Sequence, residues 1–234
     1  MLRTLVIIPA YNEEESIMTV ITKLRQDYPQ ADYVVINDCS KDGTGQVLEN
    51  NHANYVSLPL NLGIGGGVQT GYKYALDNGY DIAVQVDGDG QHDTAYLKNV
   101  IKPIEDDTAD FVIGSRFIDK EGFQSSGIRR AGIHFLSGLI KLCCGTRVYD
   151  ATSGFRAVNR EYIKLYAGDY PVDYPEPEAI VKASLCGARI SEVPVVMKER
   201  TSGKSSISPI KSIYYMIKVS IAIIICRMSN RRKR

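Results

Sequence analysis

The sequence predicts an α/β protein with a mostly parallel central sheet. Short apolar runs alternate with helix-like stretches through the first half of the chain, which is typical of strand–helix units with helices on both faces of a sheet. The notable polar residues follow the ends of these runs, where ligands collect in such sheets. A chain of 234 residues is long enough to bury a substantial core as one domain.

The predicted strands are short and rich in β-branched residues. They lie at Thr4–Ile8, Tyr33–Ile36, Tyr55–Leu58, Ile82–Val86, Phe111–Ile113 and Ile190–Met197. The predicted helices lie at Glu13–Tyr28, Thr44–Asn50, Val68–Asn78, Thr94–Ile104, Arg129–Cys144, Arg160–Tyr166, Glu178–Cys186 and Pro209–Met228. We expect Asp150–Arg156 to form a loop. The glycine-rich Asn61–Gly67 is expected to let a helix pack closely on the sheet.

The most informative stretch is an apolar run that ends in two aspartates, Asp87 and Asp89, with Gln91 two residues further on. Residues spaced by two project to the same side of an extended chain. Oxygen ligands of this kind suit a hard cation such as Mg²⁺ or Mn²⁺, shared with a phosphate-bearing ligand. Taken alone, the pair is explained better by a solvated turn, because turns favour Asp and Gly.

Polar segments follow all five strands predicted in the first half of the chain. They are Pro9–Glu13, Asp38, Asn61–Gly67, Asp87–Gln91 and Arg116. Because the carboxyl ends of parallel strands share one edge of a sheet, we expect these segments to meet there. Simpler explanations remain open for the first two, namely a helix start and a turn with a cap.

Five motifs follow one another in the order Ile7–Glu14, Asn37–Thr44, the Asp87/Asp89 cluster, Gly114–Phe117 and Thr152–Arg156. This ordered set resembles the family-2 glycosyltransferases, and most closely the polyprenyl-phosphate sugar synthases, of which dolichol-phosphate mannose synthase is the type. The resemblance implies a GT-A type α/β/α sandwich that binds a nucleotide sugar, over residues 1–206. Residues 207–234 would then form a C-terminal amphipathic helix with a basic tail.

The resemblance also implies a donor site. Its residues would be Pro9, Ala10, Tyr11, Glu13, Asp38, Gly63, Asp87, Gly88, Asp89, Arg200, Lys204 and Ser205. The first four would line the base and ribose, and Asp38 would accept a hydrogen bond from the base. Asp87, Asp89 and Gln91 would hold Mg²⁺ or Mn²⁺ against the diphosphate, under a closing loop that carries Arg200. Lys204 precedes the paired serines here, whereas many relatives place the lysine after serine.

The acceptor site and the catalytic residues are implied in the same way. Acceptor contacts would come from Arg116, Arg129, Arg130, Ser153, Arg156 and Glu178. Catalysis would fall to Asp89, Arg116 and Arg200. The planar guanidinium of arginine matches phosphate oxygens well, although a solvated surface arginine is an equally good explanation of any single one. Glu178 and Asp150 are the candidates for a general base.

The expected activity is inverting, metal-dependent transfer of a sugar from a nucleotide-diphosphate sugar to a lipid-linked acceptor. Polyprenyl (undecaprenyl) phosphate in bacterial-type cell-envelope polysaccharide synthesis is the expected acceptor. Transfer to a saccharide hydroxyl is the alternative, and would require a general base. A sugar nucleotidyltransferase is a remote alternative, because its first strand is normally followed by a glycine-rich basic loop. An inactive membrane scaffold is another, against which the intact motifs argue.

The C-terminal segment predicts an anionic partner. Residues 198–234 contain ten Lys or Arg and one acid, although the whole chain has a net charge of +1. Apolar residues recur at helical spacing at Ile210, Ile213, Tyr214, Ile217, Ile221, Ile224 and Ile225. A peripheral helix on the anionic, cytoplasmic side of a membrane is expected, and an ordinary core-packing helix is the alternative. No nucleic-acid partner is expected, whereas a small integral membrane protein partner and a homo-oligomer are left open.

Overall fold

A computed structural model describes residues 2–119, 121, 127–198 and 209–231 of the chain. Seven strands form one sheet: β1 (Thr4–Ala10), β2 (Asp32–Asn37), β3 (Tyr55–Ser57), β4 (Ile82–Gln85), β5 (Phe111–Ser115), β6 (Arg156–Asn159) and β7 (Ile190–Pro194). Their order is β3-β2-β1-β4-β6-β5-β7. Every neighbouring pair is parallel except the two made by β6. The predicted α/β class with a mostly parallel sheet is confirmed.

Helices cover both faces of this sheet. They are α1 (Ile17–Asp27), α2 (Thr44–Asn50), α3 (Gly63–Asp77), α4 (Leu97–Glu105), α5 (Gly127–Cys144), α6 (Arg160–Gly168), α7 (Pro175–Leu185) and α8 (Pro209–Arg231). Strand β1 contributes Leu5 and Ile7 to one buried core, and Val6 and Ile8 to the other. A strand buried on both faces is apolar at every position, which explains the continuous runs in the sequence.

Strand β6 is missing from the sequence prediction, which has only a loop over Asp150–Arg156. The strand has four residues, of which only Ala157 and Val158 are apolar, so it carries too little periodicity to be recognised. It inserts antiparallel between β4 and β5, and its first residue, Arg156, is opposite both Gln85 and Ile113. The loop before β6 is therefore held beside the carboxyl end of β4.

Helix α3 begins at Gly63, five residues before the predicted start at Val68. Its glycines permit close approach rather than breaking the helix. A Cβ on Gly71 would lie 2.2 Å from Cγ2 of Ile7, and one on Gly65 would lie 2.3 Å from the carbonyl oxygen of Val172. The helix therefore packs tightly on β1, and its first turn lies at the sheet edge where β1 and β2 end.

Helix α8 packs against α5 and α7, and buries Val219 and Ile223. The apolar stripe predicted from the sequence lies on the opposite side. All five of its members whose side chains are described are exposed: Tyr214, Ile217, Ile221, Ile224 and Ile225. This stripe is therefore not a core-packing face. The predicted domain boundary at 206/207 lies outside the described residues. None of the described helices is long and apolar enough to cross a bilayer.

Candidate active site

A cleft of about 410 Å³ opens at the carboxyl ends of β1, β2 and β4, beside the first turn of α3. Its lining contains all nine predicted donor residues that lie in the described part of the chain: Pro9, Ala10, Tyr11, Glu13, Asp38, Gly63, Asp87, Gly88 and Asp89. Asn61, Ile64 and Gly67 complete the lining. These three fall in the glycine-rich segment for which the sequence favoured a packing role.

The loops after β1 and β2 are joined by hydrogen bonds that shape one wall of the cleft. The Asp38 N–H donates to the Ala10 carbonyl at 2.9 Å. Asn12, which has a positive φ of 56°, donates its N–H to Ser40 Oγ at 3.0 Å, and its Oδ1 accepts from the Lys41 N–H at 2.8 Å. Asparagine tolerates this backbone conformation better than most residues. These contacts hold the Tyr-Asn-Glu segment in place before any ligand binds.

Asp38 joins this wall to the start of α3. Its side chain is nearly buried, and Oδ1 accepts the Leu62 N–H at 2.7 Å. Its backbone carbonyl accepts from Asn61 Nδ2 at 3.1 Å. A carboxylate that accepts an N–H at a helix start stabilises the positive end of the helix. Asp38 therefore has a structural role in addition to its predicted contact with the base, which stays a prediction.

The aspartate loop after β4 is ordered by its own polar groups. Asp87 Oδ1 accepts from Gln85 Nε2 at 3.1 Å, and its N–H donates to His92 Nδ1 at 3.0 Å. His92 is buried and stacks on Phe155, with ring centroids 5.2 Å apart. Asp89 Oδ1 accepts the Gln91 N–H at 3.0 Å. Because both carboxylates line the cleft and are held by neighbours, the site places negative charge where a cation can reach it.

The residues fit a divalent cation that is shared with a ligand. Within the described residues there is no cluster of three or more His, Cys, Asp or Glu side chains able to hold a metal ion alone. Two carboxylates leave positions for phosphate oxygens and water, which is how Mg²⁺ is usually bound at phosphate sites. Gln91 is absent from the cleft lining, and its carbonyl accepts the Lys198 N–H. Its side-chain contribution to the metal stays a prediction.

Arg116, expected at the acceptor phosphate, forms a buried bidentate ion pair. Its Nε and Nη2 each donate to one oxygen of Asp150 at 2.7 Å, and Nη2 also lies 3.1 Å from Thr152 Oγ1. Asp150 is 0 % exposed. This environment does not support Asp150 as a general base, because a proton acceptor must reach the substrate. The catalytic role of Arg116 stays a prediction beside this structural one.

Ser153 and Arg156 are also enclosed, and their predicted contact with the acceptor stays a prediction. Ser153 Oγ donates to the Gly114 carbonyl at 2.6 Å. Arg156 is 0 % exposed, and its guanidinium donates to the carbonyls of Ser153 and Glu176. Sequence reasoning treats arginine as a surface residue by default. Here the guanidinium lies 5.4 Å from the centre of the Phe111 ring of β5 and binds a carbonyl of α7.

The remaining acceptor candidates lie on helix starts. Glu178, in the first turn of α7, is partly buried. Burial raises the pKa of its carboxyl, and the neighbouring Asp173 raises it further. Arg130 is exposed near the start of α5. The side chain of Arg129 lies outside the described residues. None of the described acceptor candidates lines the donor cleft.

Arg200, Lys204 and Ser205 also lie outside the described residues. The last described residue before them, Lys198, is fixed beside the aspartate loop. Its N–H donates to the Gln91 carbonyl at 2.9 Å, and its Nζ lies 3.0 Å from Asp93 Oδ2. The chain therefore leaves the described region within two residues of Arg200, next to the carboxylates.

Sequence comparison identifies relatives over most of the chain. Residues 5–166 match the model of glycosyl transferase family 2. An undecaprenyl-phosphate mannosyltransferase of Micrococcus luteus is 31 % identical over 221 residues, covering 88 % of each chain. A UDP-N-acetylglucosamine–dolichyl-phosphate N-acetylglucosaminyltransferase of Methanococcus voltae is 32 % identical over 209 residues, covering 81 % of this chain and 83 % of that protein.

Solved structures share the fold. Glucosyl-3-phosphoglycerate synthase from Mycobacterium tuberculosis, in complex with Mn²⁺, UDP and phosphoglyceric acid, has a TM-score of 0.71 at 20 % identity, covering 97 % of this chain and 78 % of that one. S. aureus TarS 1–349 with UDP-GlcNAc has a TM-score of 0.66 at 20 % identity, covering 96 % and 67 %. These likenesses confirm the GT-A type fold. Together with the family match and the curated relatives, they show that the chain is a glycosyltransferase of family 2.

Proposed function

We propose that this enzyme transfers a sugar from a nucleoside-diphosphate sugar to a polyprenyl phosphate, with inversion and with Mg²⁺ or Mn²⁺. The observation that carries the proposal is the meeting of the nine described donor candidates, from three strand ends and one helix start, in a single cleft. Curated relatives named for transfer to undecaprenyl and dolichyl phosphate support this class of acceptor. The bacterial relative among them is consistent with a role in cell-envelope polysaccharide synthesis.

On the donor side, the wall formed by the first two loops receives the base and ribose. Asp38 offers a carboxylate to a base N–H, which is a charge-assisted hydrogen bond. Asp87 and Asp89 would hold the divalent cation beside the diphosphate end of the donor. When bound, such a cation neutralises the charge that develops on the departing nucleoside diphosphate. Arg200 follows the fixed Lys198 in the chain and would add positive charge beside the departing nucleoside diphosphate.

On the acceptor side, the phosphate oxygen of a polyprenyl phosphate is already anionic and needs no base to remove a proton. Alignment and charge stabilisation then supply most of the catalysis. Attack of this oxygen on the anomeric carbon, opposite the departing diphosphate, inverts the configuration. Among the described acceptor candidates Arg130 is exposed and therefore open to a lipid phosphate. A saccharide hydroxyl acceptor would instead require a base, and Glu178 is then the candidate.

The surface formed by α5 and α8 supports a peripheral position on an anionic membrane. On α8 the exposed stripe continues to Met228, and on α5 Phe135 and Leu142 are exposed. Neither helix contains an acidic residue. Apolar side chains flanked by cations favour binding to anionic lipid. The cytoplasmic face, where nucleotide sugars are found, is the side we propose.

Vesicle flotation tests this position. We expect wild-type protein to bind phosphatidylglycerol vesicles more tightly than phosphatidylcholine vesicles. Ile217→Asp with Ile221→Asp should weaken binding at least about tenfold, because two charges replace apolar contacts. Leu2→Asp, an exposed apolar site elsewhere, is the control. Equal binding by all three proteins would rule out this surface. A stable dimer, or binding only to vesicles that contain a membrane protein, would assign the stripe to a protein partner.

A thermal-shift panel tests the donor. UDP, GDP and dTDP are added with and without Mn²⁺, because a ligand that binds only the native state raises its apparent stability. We expect one nucleotide to raise the melting temperature in a Mn²⁺-dependent manner. The matching sugar donors are then incubated with undecaprenyl phosphate or with free saccharides. Absence of any nucleotide effect would reject the proposed function. Transfer only to saccharides would show that the acceptor is a saccharide hydroxyl and not polyprenyl phosphate.

A further inference from the structure

A fully buried arginine lies behind the donor cleft. Arg156 is the largest side chain that is fully buried among the described residues. Its Nε donates to the Ser153 carbonyl at 3.1 Å, and Nη2 donates to the same oxygen. Its Nη1 donates to the Glu176 carbonyl at 3.1 Å. One guanidinium thus joins the loop before β6 to the first turn of α7.

The loop that Arg156 holds lies directly against Asp87. A Cβ on Gly154 would be 3.0 Å from Asp87 Oδ2 and 3.1 Å from Gln85 Nε2. Gln85 in turn donates to Asp87 Oδ1. Ser153 is also held through its side chain, because its Oγ donates to the Gly114 carbonyl. The position of the Asp87 carboxylate therefore depends on where the Ser153–Gly154 backbone lies.

The electrostatic surroundings of Arg156 are those of an interior charge. Burial raises the pKa of the Glu176 carboxyl, and the Arg156 guanidinium opposes that rise. The hydroxyls of Tyr72 and Tyr170, two aromatic neighbours, are buried without a hydrogen-bond partner in the described part of the structure. A buried guanidinium is costly unless its N–H groups are satisfied. Because its guanidinium is buried and donates to two carbonyls, Arg156 is better placed to fix the backbone than to bind the phosphate of a substrate.

We infer that Arg156 is a positioning residue for the donor: it clamps the Ser153–Gly154 backbone to α7, and thereby aims Asp87 into the cleft. The inference rests on the proposed function, because it assigns Asp87 to the cation and diphosphate. It replaces the acceptor contact that the sequence suggests for Arg156. Lysine cannot reproduce the clamp, because a single ammonium group lacks the planar fork that reaches both carbonyls.

The test compares Arg156→Lys and Gly154→Ala with the control Arg160→Lys. Arg160 is exposed and pairs with Asp81 at 3.2 Å, away from the cleft. Mn²⁺ affinity is measured by electron paramagnetic resonance, with whichever of UDP, GDP or dTDP stabilises the wild type. Both test variants should bind Mn²⁺ about 10- to 100-fold more weakly, the usual effect of losing a residue that orients a metal ligand. The KM for undecaprenyl phosphate should stay within about twofold of the wild type, because a positioning residue touches no acceptor.

Three results would overturn the inference. The first is a raised acceptor KM with unchanged Mn²⁺ affinity in Arg156→Lys, which would restore the direct acceptor contact. The second is an Arg156→Lys variant identical to the wild type in both measurements. The third is normal Mn²⁺ affinity in Gly154→Ala. This variant keeps the arginine, so it tests the inference even if Arg156→Lys does not fold. A wild type that binds no nucleotide would reject the proposed function itself, which is a distinguishable outcome.

Discussion

The donor side and the acceptor side of this site use their polar residues differently. On the predicted donor side, Asp38, Asp87 and Asp89 all line an open cleft, and each accepts a hydrogen bond from a nearby residue. On the predicted acceptor side, Arg116 and Arg156 are buried, and their guanidinium groups donate hydrogen bonds to protein oxygens. In this protein the carboxylates at strand ends therefore mark the open cleft, whereas Arg116 and Arg156, the arginines of the motifs, do not.

The largest effect that we expect is a loss of stability when a buried arginine is replaced. Arg116→Met leaves the fully buried Asp150 without its bidentate partner, and should lower the free energy of unfolding by about 3–5 kcal/mol. The change is measured by urea unfolding. Arg130→Met, at an exposed arginine that was also an acceptor candidate, should change it by less than about 0.5 kcal/mol.

A double variant sharpens the same test. Replacing both Arg116 and Asp150 with apolar residues of similar volume should recover much of the stability, because no unpaired buried charge remains. If the single Arg116→Met variant were as stable as Arg130→Met, the ion pair would not be a structural element, and a role for Arg116 in the reaction would gain support.

The second effect is on the reaction. Asp89→Ala should reduce the transfer rate by about 10²–10³-fold, the range seen when one preorganised electrostatic group is removed. Stability should change little, because Asp89 is only partly buried. The rate is measured with the donor that the nucleotide panel identifies. Asp77→Ala, at the far end of α3, is the control. Equal rates for the two variants would remove Asp89 from the mechanism.

A smaller effect is expected at Glu178, and its size distinguishes the two acceptor classes. With a phosphate acceptor, Glu178→Gln should retain activity within about tenfold of the wild type, because no base is needed. Loss of a required general base costs about 10²–10⁴-fold. Rates with undecaprenyl phosphate and with saccharides are compared for wild type and variant. A loss in the larger range with the lipid would contradict the phosphate mechanism.

The smallest effect is a change in the pH dependence of stability. Burial raises the pKa of Glu192, although the N–H groups of Tyr149 and Asp150 partly offset this. The native state therefore binds this proton more tightly than the unfolded chain, and stability falls as pH rises through the raised pKa.

Glu192→Gln removes that contribution. Its melting temperature should fall less than that of the wild type between about pH 4 and pH 7, the interval above the ordinary pKa of glutamate. Glu15→Gln, at an exposed site, should follow the wild type throughout. A steeper fall in Glu192→Gln would mean that the ionised carboxylate is the form the fold prefers.

The sequence by itself determined the α/β class, most of the strands, and most of the residues that line the cleft. Strand–helix alternation is a local pattern, and residues such as Tyr11, Asp38 and Asp87 follow strand ends. Because the carboxyl ends of parallel strands meet at one edge, their convergence could be deduced without knowing any side-chain contact. The glycine-rich start of α3 was the exception on this side, since its early helix depends on packing against Ile7 and the backbone of Val172.

Only the tertiary structure decided which arginines are buried, where β6 is inserted and which side of α8 faces the protein. Whether an arginine is solvated or buried depends on what covers it, and Arg156 contacts the Phe111 ring of β5 and the Glu176 carbonyl of α7, which are distant from it in sequence. Strand β6 is stabilised by its neighbours β4 and β5 rather than by its own four residues. The side of α8 that faces the protein was set by contact with α5 and α7, because both of its faces carry apolar residues.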